Sequence, residues 1–73
     1  MDKLTPMETL RRIRLNQQYE KVHGVLLDAT TATALLTVYD ALSEASQVRF
    51  EALLNRDATG LQKLVDFAWS KVS

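Results

Sequence analysis

The stretch Asp28 to Ala45, D-A-T-T-A-T-A-L-L-T-V-Y-D-A-L-S-E-A, constrains the chain more than any other. Wound at 100° per residue, it places Ala32, Leu35, Leu36, Val38, Tyr39 and Leu42 over well more than a third of a helix circumference. Thr30, Thr33, Thr37, Asp40 and Glu44 are left as one narrow polar stripe. A helix that apolar needs neighbours on several sides, so the rest of the chain has to be arranged around it. The spacing predicts helix 2 over residues 29–42, with Asp28 as its N-cap and Thr30 and Thr31 as alternatives.

Thr5-Pro6-Met7-Glu8 is a dense start signal for helix 1. Thr5 caps, Pro6 stands at N1 where its missing N–H costs nothing, and Glu8 at N3 can reach back. The helix is expected to run over 6–23, with Gly24 in the left-handed position after it and Lys21 and His23 near its negative end. Continuation to Leu27 is the alternative, because Leu15, Tyr19, Val22 and Leu26 keep helical spacing.

This helix has two apolar stripes. Met7, Leu10 and Ile13 point roughly 150° away from Leu15, Tyr19 and Val22, so one flat surface cannot cover both. Either the helix is wedged among its own neighbours or one stripe meets a partner. The expectation is that Leu15, Tyr19 and Val22 face the core, since they lead into the apolar Val25-Leu26-Leu27, and that Met7, Leu10 and Ile13 face a partner.

Ser43 or Ser46 caps helix 3, expected over 44–55, with Val48, Phe50, Leu53 and Leu54 as its apolar contacts. A short turn separates it from helix 2. Arg56-Asp57-Ala58-Thr59-Gly60 is a clearer break, and Thr59 with Gln62 repeats the capping-box spacing. Helix 4, over 60–72, has Leu61, Leu64, Val65, Ala68 and Val72 at i, i+3, i+4, i+7 and i+11, with Phe67 and Trp69 flanking that face on opposite sides. The fold class is therefore all-α, a small bundle of four helices around helix 2, with residues 1–73 as a single helical domain.

Composition matters here because a chain of 73 residues buries only about 60% of the surface its unfolded state exposes. With 47% hydrophobic residues, two Gly and one Pro it belongs among globular chains, and with no cysteine neither a disulfide nor a thiolate metal site can staple it. Core packing or oligomerisation has to do so. Formal net charge is zero, distributed as +2 over residues 1–27 and −2 over the remainder. Near-neutrality favours self-association over attraction to polyanions. No segment approaches the ~18 uncharged apolar residues of a membrane span, and a cytoplasmic location is expected.

An enzyme is hard to build from these residues. His23 is the lone histidine, and neither a glycine-rich phosphate loop nor a G-x-S-x-G or H-E-x-x-H pattern accompanies it, so helix capping is the expected role. Asp40 and Glu44, at i and i+4, lack a third ligand nearby and read as a solvated face. Asp28 opposes an anion site at the start of helix 2 by occupying its free N–H groups. No catalytic, cofactor-binding or metal-binding residue is assigned, and no small-molecule substrate is evident.

The expected function is a non-enzymatic protein–protein interaction module, as a homodimer or on another protein, with Met7, Leu10, Ile13, Phe67 and Trp69 as the contact surface. The alternative is a small nucleic-acid-binding regulator using Arg11, Arg12 and Arg14, joined by Lys3 and Lys21. These arginines do not make one clean basic face, so solvation or pairing with acidic groups is favoured.

Overall fold

The computed structural model describes residues 5–72, the last without its side chain; Lys3 lies outside the described residues. The chain runs as helix α1 (Pro6–Asn16), strands β1 (Glu20–Val22) and β2 (Val25–Leu27), then helices α2 (Ala29–Ala41), α3 (Glu44–Arg56) and α4 (Ala58–Val72). Four helices are present as expected, and between the first two stands a two-stranded sheet that the helical periodicity does not predict.

The start of α1 agrees with the capping-box expectation: the Glu8 N–H donates to Thr5 Oγ1 at 3.2 Å and the Thr5 N–H donates to Glu8 Oε1 at 2.9 Å. Its end does not agree. The helix stops at Asn16 rather than at residue 23, because Gln17 turns left-handed (φ 54°, ψ 46°) and its N–H, with that of Gln18, donates back to the Ile13 carbonyl. Asn16-Gln17-Gln18 is a wholly polar run with no apolar side chain to carry a helical stripe further.

Beyond Gln18 the chain forms a hairpin. Glu20 pairs with Leu27, Lys21 with Leu26 and Val22 with Val25, antiparallel, across the two residues His23 and Gly24. Both have positive φ, 52° and 79°, the signature of the tight turn whose twist matches that of its flanking strands. The left-handed backbone expected at Gly24 is present, but it serves a strand turn instead of a helix end. Alternation then puts Val22 and Leu27 inside while Lys21 and Leu26 face outward.

The two stripes of the N-terminal segment are consequently the reverse of expectation. Met7, Leu10 and Ile13 are buried, the latter two completely, whereas Leu15 and Tyr19 are exposed; of the stripe assigned to the core, Val22 alone is buried. With α1 ending at Asn16, Leu15 stands on its outer side and Tyr19 leaves the helix altogether, so the segment that must pack on α2 is the Met7-Leu10-Ile13 side.

Asp28 caps α2, its Oδ1 accepting the Thr31 N–H at 2.8 Å. The helix buries Ala32, Ala34, Leu35, Leu36 and Val38 and packs on α1 and α4. Leu42 turns extended (φ −81°, ψ 153°) and Ser43, not Ser46, caps α3 through the Ser46 N–H. Within α3, Phe50 and Leu54 are buried and Leu53 is partly so; Val48 faces outward, contrary to expectation. Tyr39 and Phe50 meet edge-on with centroids 5.1 Å apart, and the Tyr39 hydroxyl donates to Glu51 Oε2 at 3.0 Å.

The α3–α4 break is a single residue. Asp57 accepts the Gly60 N–H on Oδ1 at 2.8 Å, so α4 begins at Ala58 rather than 60, and Gln62, expected in a box with Thr59, donates instead to Asp66. Gly60 is thereby inside the helix and buried, where a Cβ would overlap the Leu53 carbonyl oxygen of α3. The missing side chain permits the two backbones to touch. The Cα radius of gyration, 11.3 Å, matches the ~11 Å of a compact chain of this length.

Candidate functional site

The close approach at Gly60 brings α3 and α4 side by side, and further along their shared flank an apolar groove of about 310 Å³ opens. Leu42, Phe50 and Leu53 supply one wall and Leu64 and Phe67 the other. Among the described residues, Ser46 is the sole uncharged polar side chain on it, Arg49 and Lys63 stand at the rim, and no carboxylate lines it. A third cation belongs to the same flank, because Lys71 Nζ lies 5.4 Å from the centre of the Phe67 ring.

Local spacing explains this composition. Ser46, Arg49, Phe50 and Leu53 fall at i, i+3, i+4 and i+7, a line along α3 with Leu42 of the α2–α3 link beside its start, and Lys63, Phe67 and Lys71 at i, i+4 and i+8 make a line along α4. Neither line announces a site alone. The α3 line contains a single cation, and only the register fixed at Gly60 sets it opposite the other.

The residues expected at a partner surface are dispersed. Met7, Leu10 and Ile13 are in the chain's own core and form no part of its surface. Phe67 and Trp69 are each 40% exposed, but at 100° per residue they point about 160° apart on α4, so Phe67 belongs to the groove and Trp69 does not.

Three more large apolar side chains are exposed in the first half of the sequence. Leu15 (82% exposed) on the last turn of α1, Tyr19 (70%) before β1 and Leu26 (61%) on the outer face of β2 all come from one stretch of twelve positions, 15–26. No backbone hydrogen bond joins β1 or β2 to any element other than each other among the described residues.

The three arginines do not act together. Arg12 donates from Nε to Glu20 Oε2 at 2.6 Å and also pairs through Nη2 with Glu20 Oε1. That hydrogen-bonded pairing raises the guanidinium pKa and holds the Glu20 carboxyl below its ordinary value, with a smaller contribution from Gln18. Arg11 and Arg14 are exposed.

His23 does bind a helix end, though not that of α1: its Nε2 lies 2.7 Å from the Leu54 carbonyl oxygen in the last turn of α3. Asp40 and Glu44 are exposed. Among the described residues no three His, Cys, Asp or Glu side chains are gathered as metal ligands would be, and no helix is long and apolar enough to cross a membrane. Comparison with models of protein families, with curated proteins and with solved structures finds no match.

Proposed function

We propose that the chain is a non-enzymatic protein–protein interaction module, cytoplasmic, that self-associates through the segment 15–26, which carries the exposed side chains of Leu15, Tyr19 and Leu26. The observation that carries the reading is the exposure of these three large apolar side chains within one short stretch. Their burial would contribute about 25 cal/mol per Å² of apolar surface removed from water. A second copy suits this segment because the hairpin strands pair only with each other among the described residues, leaving an edge that an identical edge can extend. Zero net charge divided into a positive N-terminal part and a negative remainder adds attraction between copies.

The architectural reading that accompanies this is a bundle arranged about α2, supported by the buried residues of that helix and its packing on both α1 and α4. The nucleic-acid reading has less support, since Arg12 is engaged by Glu20.

Sedimentation velocity across the micromolar range tests the proposal. The expected result is a concentration-dependent shift from monomer to dimer that Leu26→Lys abolishes while the helical circular dichroism spectrum is kept. A chain that sediments as monomer throughout would overturn it. Duplex DNA binding that weakens steeply with salt and is lost on replacing Arg11 and Arg14 with Ala would favour the nucleic-acid reading instead.

A further inference from the structure

The groove between α3 and α4 is separate in sequence from the hairpin segment, and its chemistry differs. The hairpin segment exposes aliphatic and aromatic side chains and a strand edge; the groove is apolar at its floor and cationic at its rim. We propose that this groove receives an amphipathic helix of another protein whose apolar ridge is bordered by carboxylates. The proposal goes beyond self-association through the hairpin segment by naming a second surface and the chemistry of its partner.

Two observations specify the occupant. The first is the shape of the walls. They are two neighbouring helices in direct backbone contact near Gly60, and the trough beside such a pair accepts the ridge of a third helix, whose side chains at i, i+3 or i+4 and i+7 fall along it. A volume of about 310 Å³ is at the small end for ligand pockets, which range from ~300 to ~1,000 Å³, and with Ser46 as the one uncharged polar group among its described residues it lacks the converging donors and acceptors that orient a small molecule.

The second observation is charge. Arg49 of α3 and Lys63 of α4 line the groove with no acidic side chain among its described lining residues, and Lys71, outside that lining, lies over the Phe67 ring. The chain as a whole carries zero net charge, so this is a local concentration of one sign. Carboxylates at the borders of an incoming apolar ridge would meet these cations at the wet rim, where charge pairs steer encounter and set orientation. A basic helix with the same apolar ridge would be repelled there.

The test uses the full chain, isotopically labelled, with two synthetic helical peptides of about four turns that share one leucine ridge. One has glutamates bordering the ridge and the other lysines. The expected result is that the glutamate peptide shifts the amide resonances of Ser46, Arg49, Lys63 and Phe67 and binds at least tenfold more tightly than the lysine peptide, with affinity falling as salt is raised. The double variant R49E/K63E, at two rim positions, should reverse the preference.

Equal binding of the two peptides, shifts confined to residues outside the groove, or no shift at millimolar peptide would overturn the proposal. So would concentration-dependent shifts of the same groove resonances without peptide, since a second copy would then be the occupant. Leu26→Lys separates the two readings: it should remove self-association and leave the glutamate peptide bound. Loss of peptide binding with self-association intact would count against the groove alone, and a monomeric chain that still binds the peptide would count against the hairpin alone.

Discussion

Gly60 of α4 stands directly against the Leu53 carbonyl oxygen of α3, and an added Cβ would also lie 3.1 Å from the carbonyl carbon. The obstruction is backbone rather than the tip of a flexible side chain, so it cannot be relieved by a rotamer change. Gly60→Ala should therefore destabilise the fold by about 1 to 3 kcal/mol, although in an isolated helix the same change is favourable by roughly 1 kcal/mol. Urea denaturation midpoints of the two proteins check the sign. A stabilised variant would show that α3 and α4 do not make this contact.

Leu10 and Leu15 are on the same short helix with opposite fates. The first is completely buried, the second 82% exposed. Leu10→Ala should cost about 2 to 5 kcal/mol through the cavity it leaves. Leu15→Ala should change stability by no more than about 0.5 kcal/mol when measured at concentrations where the chain is monomeric. Thermal melts of the pair would discriminate the observed placement from its reverse, in which the two effects exchange.

Four carboxylates have pKa values below the ordinary range. Asp28 is held there chiefly by the Thr31 backbone N–H, Asp57 by the Gly60 N–H, Glu8 by the Thr5 N–H and Glu20 by the Arg12 guanidinium. A carboxyl whose folded pKa is lowered contributes stability that is complete above its unfolded value and is lost as pH falls through the folded one. These four carboxylates should thus contribute no pH dependence between neutrality and about pH 5, and should cost the chain stability progressively below about pH 4. Asp28→Asn keeps a cap at α2 without a titrating group, so its acid-induced loss should be smaller than that of the wild type. An identical loss in both proteins would exclude Asp28 as a contributor.

Much of this fold can be read from the chain because the signals are local. Thr5 with Glu8 and Asp28 before Thr31 each fix a helix start through side-chain acceptors three residues from a free N–H and are found where their spacing places them, and of the two candidates for α3 it is Ser43 that accepts, from the Ser46 N–H. The hairpin is harder to see. His-Gly is a weaker turn signal than Asn-Gly or Asp-Gly, and Leu15, Tyr19, Val22 and Leu26 satisfy a helical period while Val22 and Leu27 satisfy a strand one. Tertiary packing on the inner face decides between them.

Of the residues expected at a partner surface, Phe67 alone lines the groove, and its separation from Trp69 on opposite flanks of α4 comes from the period alone. Arg49 and Lys63 carry no mark of a shared groove in the sequence. They become neighbours of one surface through a backbone contact at Gly60, a residue that resembles an ordinary helix breaker until the helix is seen to run through it.

The order of packing along the chain has a kinetic consequence. α1 reaches α2 through a hairpin with a two-residue turn, and α4 meets α3 across the single residue Asp57, so the tightest associations are between neighbours in sequence. Closing such short loops loses little chain entropy, and helical chains with mostly local contacts reach the native state in ~μs to ms. The distant ties, α2 on α4 and the His23 imidazole on the Leu54 carbonyl 31 residues away, join two parts that can each begin to form alone. Docking of those parts should then be the slow step of refolding, and stopped-flow unfolding of variants between the two parts, compared with variants within either, would show whether contacts between them set how long the native chain survives before it opens.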